Sequence, residues 1–271
     1  MAHAPGPGTM SLTGAVGGVF SGLTGVGGGA LMVPLMTGVL KMRQHTAHGT
    51  SLVIIVFAAI AGSLTYMANE GVLWGLVAAL LAGSLIGAYT GARVVQHVPG
   101  MRLRQAFGVF LLIVAVRLLI VRDLDPMFDV SGASEWLAGA GIGLAGGLAA
   151  GALGVGGGAI FVPGLVILLG TGQHAAQGVS LEVIVLTAIV GAATHHRHGD
   201  VDFRAARWMV PAAIPAGVAG GLIASALDAN VLQRIFAVVI LAVGAQMVIS
   251  GTRAIRRGRI EPLRASEAGI E

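Results

Sequence analysis

The stretch Gly25-Val26-Gly27-Gly28-Gly29-Ala30 occurs a second time as Gly154-Val155-Gly156-Gly157-Gly158-Ala159. Each copy sits inside an apolar run. Three consecutive glycines are the least constrained backbone a chain can offer. Hydrocarbon tolerates a broken helix only where protein or a water-filled cavity covers it. A chain that keeps such a break twice points to a use for it.

Outward from these runs, an offset of 129 residues aligns the two halves without a gap. Gly14, Gly17, Gly18, Gly22, Val33 and Pro34 return as Gly143, Gly146, Gly147, Gly151, Val162 and Pro163. Gln44-His45 returns as Gln173-His174, and Ala47, Gly49, Ser51 and Leu52 as Ala176, Gly178, Ser180 and Leu181. Leu103 and Phe107 return as Leu232 and Phe236. This is a duplicated unit.

The surrounding composition is that of a membrane protein. Of 271 residues, 55% are hydrophobic and only 10% charged, and the mean hydropathy is +0.87. A soluble domain carries about a quarter charged residues. Cysteine is absent, which excludes disulfides and thiolate chemistry. The start of the chain has no Lys or Arg before Lys41, so it lacks the basic beginning of a signal peptide. The pI is near 10.6, but the arginines flank apolar segments, so membrane orientation explains them and nucleic acid is not expected.

Apolar segments fall near 11–40, 48–68, 72–92, 103–121, 136–170, 177–195, 208–227 and 231–251. Most approach the ~20 residues of a spanning helix. The first and fifth are longer and are cut by the glycine runs. If those two enter and leave on one side, Lys41, Arg43, Arg93, Arg102, Arg104, Arg197, Arg204, Arg207, Arg253, Arg256, Arg257, Arg259 and Arg264 share one face. Arg117, Arg122 and Arg234 take the other. That distribution satisfies the positive-inside rule far better than eight full crossings do.

The expected fold is an all-α polytopic membrane protein of two inverted-topology repeats, each a glycine-broken hairpin plus three transmembrane helices, with both termini cytoplasmic. The expected divisions are an N-terminal tail (1–10), repeat 1 (11–121), an inter-repeat loop (122–135), repeat 2 (136–251) and a basic cytoplasmic tail (252–271). The two hairpin tips would meet near the midplane, where inverted-repeat transporters bind substrate.

Free amides at a glycine run, with a helix N-terminus behind them, favour an anion. The expected substrate contacts are Gly25, Gly27, Gly28, Gly29, Gly154, Gly156, Gly157 and Gly158, with Thr50, Ser51 and Ser180 supplying hydroxyls. Thr50 and Ser51 also suit N-capping of the next helix. Pro34 and Pro163 are expected in the first turn after each run. Gly14/Gly18/Gly22, Gly83/Gly87/Gly91 and Gly143/Gly147/Gly151 read as packing surfaces. Glu182 is the carboxylate well inside an apolar segment and is the candidate proton carrier, with His195 a second candidate on the same path.

Other chemistry is not expected. His195 to Asp202 has no known metal-ligand spacing, so no metal is expected. Gly141-x-Gly143-x-x-Gly146 lacks a βαβ context. The sole lysine, Lys41, follows no P-loop. No nucleophile–base pair appears, so an enzyme is not expected, and no cofactor is expected.

The pattern G-x-G-G-G-x-x-x-V-P, the run Ala47 to Leu52 (A-x-G-T-S-L) and Gly199 to Asp202 (G-x-V-D) resemble the TauE/SafE sulfite-exporter family over about residues 11–250. The resemblance implies a carrier in the bacterial inner (plasma) membrane for small sulfur-containing anions, sulfite or organosulfonates such as sulfoacetate, with proton-linked export. An anion channel, or an importer of a related sulfur oxyanion, is the alternative. Thiosulfate-importing relatives place cysteines along their path, and this chain has none. The second half departs from the motif at Val179, in place of the Thr, and at Glu182. The partners expected are the small anion, the lipid bilayer and, at most, a second copy of the chain as a homodimer.

Overall fold

The computed structural model describes residues 6–94, 100–120, 132–153 and 157–267; at 70, 91–94, 100–104, 151–153, 251 and 253–267 it describes backbone alone. The described residues form ten helices: α1 (Pro7–Thr24), α2 (Gly29–Gly38), α3 (Gln44–Glu70), α4 (Trp74–Val94), α5 (Gly100–Ile120), α6 (Ala133–Leu153), α7 (Gly158–Leu169), α8 (Gln173–Arg197), α9 (Phe203–Ala226) and α10 (Ala229–Glu267). Four helix pairs begin at the repeat offset: α2 and α7, α3 and α8, α4 and α9, α5 and α10. Gln44–Asn69, Gln173–Arg197, Phe203–Ala226 and Ala229–Ser250 are long and apolar enough to cross a membrane. Leu64, Leu85, Ile86, Ile113, Leu137 and Leu222 point outward, about half or more exposed, as lipid-facing side chains do.

Both long apolar segments break where the sequence breaks. α1 ends because Gly25 turns left-handed (φ 68), its N–H capping Ser21 O at 3.0 Å, a conformation glycine takes without steric cost. The return arm α2 has 10 residues, about 15 Å at ~1.5 Å per residue, and cannot cross ~30 Å of hydrocarbon. The outward arms exceed the expected length. α1 starts at Pro7, inside the stretch read as a tail, because proline suits the first position of a helix, and α6 starts at Ala133. Pro34 and Pro163 fall inside α2 and α7, not in their first turns, since those helices start only at Gly29 and Gly158. α3 and α8 start already at Gln44 and Gln173, so Thr50 and Ser51 sit within α3 and cap nothing. α10 continues as helix through Glu267, past the point where a tail was expected.

Glycines set the helix pairing. A Cβ on Gly14, Gly18 or Gly22 would collide with the α9 carbonyls of Met209, Ala213 or Gly217; one on Gly143 or Gly147 would collide with those of Leu80 or Ser84 in α4. These small-xxx-small faces let backbones touch, as expected. Gly17 and Gly146 do something else: they make room for Met32 and Phe161, which pack each return arm on its outward arm. The residue pairs fix directions. α1 and α9 run parallel. α3 and α8 run antiparallel, Gly191 facing Leu52 and Gly178 facing Tyr66. α5 and α10 are also antiparallel, Gln105 bonding Thr252 and Gln233 bonding Leu118.

The first hairpin leaves where it entered: Pro7 and Met10 of α1 share a cavity wall with Leu40, Lys41 and Met42. In the turn after α2, Lys41 is left-handed (φ 55), and its repeat mate Gly170 is too (φ 64). That conformation costs a side-chain-bearing residue roughly 1–2 kcal/mol and glycine almost nothing.

Candidate functional site

The first glycine tip is a broken helix with its donors left open. Gly27 (φ 82) and Gly28 (φ 78) are both left-handed. Gly28 O accepts from Leu31 N–H at 3.1 Å and Met32 N–H at 2.8 Å. Among the described residues, the amides of Gly27, Gly28, Gly29 and Ala30 find no backbone acceptor, as the first N–H groups of a helix cannot.

The tips touch. A Cβ on Gly158 would stand 2.7 Å from Val26 Cα, 3.0 Å from Gly25 O and 2.9 Å from Ile184 Cδ1. A Cβ on Gly27 would meet Ile184 Cγ2 at 2.8 Å and Ile55 Cγ2 at 3.5 Å. Ile55 and Ile184 are repeat mates near the middle of α3 and α8, so the meeting point lies within the bundle. The second tip differs in shape. Gly157, the N-cap of α7, is right-handed (φ −77) where Gly28 is left-handed, and the Phe161 ring occupies the space beside it. Gly154 and Gly156 lie outside the described residues.

Ser180 is at the tip, its buried hydroxyl donating to Gly25 O at 2.7 Å. Its hydrogen is committed to that carbonyl, so it holds the tip in place. Ser51 is buried but donates back to His48 O at 2.8 Å within its own helix. Thr50 is elsewhere: its buried hydroxyl oxygen accepts Asp202 N–H at 2.9 Å, Asp202 caps α9 by accepting Ala205 N–H at 3.0 Å, and Gly49 lets Asp200 O press on α3. The A-x-G-T-S-L and G-x-V-D motifs thus bind each other. In the other half the corresponding positions are Val179 and Leu73, and Val179 has no hydroxyl to accept a backbone N–H.

Glu182 lies on the seam of α8 and α3 beside Ser63, its Oε1 buried and without a partner among the described residues. His195 is more than three turns away at the end of α8, Nδ1 lying 3.7 Å from Asp200 Oδ2 and both side chains about one-third exposed. The structure does not bring these two together. Among the described residues no group of three or more His, Cys, Asp or Glu could hold a metal ion.

Three further residues stand at the tip. Ser21 is fully buried, its hydroxyl without a partner among the described residues, its Cβ 3.5 Å from where a Cβ on Gly28 would stand. Gln177 is fully buried against Gly25. The Tyr66 hydroxyl lies 2.6 Å from the Gln177 amide and 2.9 Å from Gly22 O, leaving the other end of that amide unpartnered. One turn earlier, Gln173 is buried, and neither amide atom has a partner among the described residues. Gln173, Gln177, Ser180 and Ile184 lie along one helix face, ending at the tips. Their mates Gln44, His48, Ser51 and Ile55 repeat the file on α3. The repeat comparison hid Ser21 and Tyr66, whose mates are Ala150 and His195.

The sequence matches the family described as "Sulfite exporter TauE/SafE" over residues 1–118 and 139–270. The chain belongs to the TauE/SafE family. A probable membrane transporter protein of Bacillus subtilis, YunE, is 25% identical over 265 residues, covering 89% of this chain and 97% of its own length. A probable membrane transporter protein of Xylella fastidiosa is 26% identical over 232 residues, 84% of this chain and 89% of the relative. A probable membrane transporter protein of Haemophilus influenzae is 33% identical over 116 residues, 40% and 44% respectively. The apolar helices and this family together make the TauE/SafE chain a multi-pass membrane protein.

Proposed function

We propose that this TauE/SafE chain is a secondary transporter that exports a small sulfur-containing anion, sulfite or an organosulfonate such as sulfoacetate, in a proton-linked cycle. The observation that carries the reading is the set of buried, unpartnered polar groups around a broken helix. Four amides from Gly27 to Ala30 without a backbone acceptor among the described residues, the Ser21 hydroxyl and the open end of the Gln177 amide surround one tip. Leaving a buried polar group unsatisfied costs about 1–3 kcal/mol, so a ligand that engages several of them gains that back. An oxyanion with three acceptor oxygens suits the site.

The two halves act as inverted repeats, a reading supported by the antiparallel packing of α3 on α8 and of α5 on α10. Each polar file then forms a half-path from one membrane face to the tips. Gln44 is exposed and His48 half-buried, whereas Gln173 and Gln177 are buried. That difference fits a state open toward the α3 start and closed toward the α8 start, as alternating access requires. The direct contact of Gly158 with Val26 favours this over a continuous pore. Glu182 serves as proton carrier: its Oε1 is buried without a hydrogen-bond partner among the described residues, a setting that disfavours a permanent charge. The face rich in arginine is the cytoplasmic one, which puts both termini inside a bacterial inner membrane.

The test is thermal stabilisation of the purified protein by sulfite, sulfoacetate, taurine, thiosulfate and sulfate. One sulfur anion raises the midpoint in a saturable way, by linkage. Equal response to all five, or to none, refutes a specific anion site.

A further inference from the structure

A cavity of about 330 Å³ opens where the first hairpin enters, walled by Pro7, Met10, Leu40 to Met42, Asp202, Arg204, Ala205, Arg207 and Trp208. Three of its walls are cationic: Lys41, Arg204 and Arg207. The one carboxylate, Asp202, is engaged with Ala205 N–H at 3.0 Å. Arg207 lies 5.4 Å from the centroid of the Trp208 ring, which orders its guanidinium by a cation–π contact.

The duplication supplies an internal control. At the repeat offset, Lys41, Arg204, Arg207 and Trp208 correspond to Gly170, Gly75, Ala78 and Ala79. The three cations thus have no cationic mate in the other half, where Trp136 stands at the position of Pro7 and packs beside Gly75. Membrane orientation requires basic residues on this side but does not require them to line a cavity. Lys41 is the more telling residue. It holds a left-handed backbone where its mate is glycine, so a lysine is kept at a position whose geometry favours glycine, and strain of this kind clusters at working sites.

We infer that this cavity is an entry vestibule that collects the anionic substrate from one face of the membrane before it reaches the tips. The inference rests on the transport reading above and adds a second, one-sided anion site to it. The chemistry is recognition of a small oxyanion by Lys41, Arg204 and Arg207. A lipid phosphate shares that chemistry, and the experiment separates the two sources. The vestibule lies at the same end as exposed Gln44 and half-buried His48, the end of the open half-path. Clustered charge at a mouth with low-dielectric walls raises the local concentration of the opposite ion and its capture rate. A one-sided cluster therefore makes capture asymmetric.

The experiment compares the unaltered protein with the triple variant Lys41→Asn, Arg204→Gln, Arg207→Gln. Asn tolerates the left-handed backbone, so the turn is preserved. Initial rates of sulfite transport are measured in vesicles of both orientations, made with neutral or with anionic lipid. From the face bearing Lys41, the variant shows a KM raised about tenfold at low salt and converging on the unaltered value near 0.5 M salt, with kcat retained. From the other face KM is unchanged. Arg204→Lys and Arg207→Lys, which keep the charge, stay near the unaltered protein, and an unchanged thermal midpoint shows that the variants fold. An equal KM from the basic face, or an equal rise from both faces, overturns the vestibule. So does an effect confined to anionic-lipid vesicles, which assigns the cavity to a lipid headgroup. If the unaltered protein moves no sulfite or sulfoacetate from either face, the transport reading fails and the vestibule falls with it.

Discussion

The contact between the two glycine tips can be tested with a single methyl group. Gly158→Ala adds a Cβ that would stand 2.7 Å from Val26 Cα and 3.0 Å from Gly25 O. Ordinary contact begins near 3.4 Å, so the tips must part by roughly 0.7 Å. Ile184 Cδ1, the third neighbour, can rotate away, but the other two are backbone and cannot. Overpacking of this kind costs about 1–3 kcal/mol, set against at most ~1 kcal/mol that alanine gains over glycine in a helix. Gly141→Ala is the control: that glycine also lies in a helix, is exposed, and has nothing within 4 Å of its added Cβ. It gains the helix term without the clash, so the two variants differ by roughly 1–3 kcal/mol, the clash alone. The assay is the thermal midpoint in detergent together with sulfite uptake in proteoliposomes. Gly158→Ala lowers both, and Gly141→Ala lowers neither. Equal midpoints and equal uptake in the two variants would refute the meeting of the tips and the site built on it.

Three further outcomes follow from the same geometry. Glu182→Gln keeps the size of the side chain and removes its titration; sulfite flux down its own gradient persists while its response to an imposed pH gradient disappears, and a retained response rules Glu182 out as proton carrier. Thr50→Val strands the Asp202 N–H and lowers stability by about 1–3 kcal/mol with an unchanged KM, whereas Thr50→Ser stays near the unaltered protein; a raised KM at unchanged stability would return Thr50 to the substrate site. Gln177→Leu removes the buried amide at the tip and weakens sulfite binding about tenfold, equivalent to about 1.4 kcal/mol, read as a shifted concentration dependence of thermal stabilisation; an unchanged concentration dependence removes Gln177 from the site.

Much of the architecture was legible in the residues. The breaks at Gly25 and at the second run, the short return arms and the shared offset of four helix starts follow from glycine placement and duplication, both local properties. The packing glycines were legible for the same reason. Other residues have partners that a distant segment supplies. Thr50 looked like a hydroxyl for an anion, but its partner is Asp202, 152 residues away. Ser180 looked like a free donor, yet its hydrogen belongs to Gly25 O, 155 residues away. Ser21 and Tyr66 were passed over because the repeat comparison rewards identity, and at these positions the halves differ.

The sequence alone determined that this is a helical membrane protein, duplicated, and broken twice by glycine. Those conclusions rest on composition, periodicity and backbone freedom, which a single strand of residues expresses by itself. Only the tertiary structure decided that the tips meet and that the second is shaped differently from the first. It alone showed that buried donors from α1 and α8 converge on the first tip and that Lys41, Arg204 and Arg207 share one cavity. These depend on which helices lie side by side, and glycine-lined helices choose their neighbours by backbone fit across the whole bundle rather than by any local pattern.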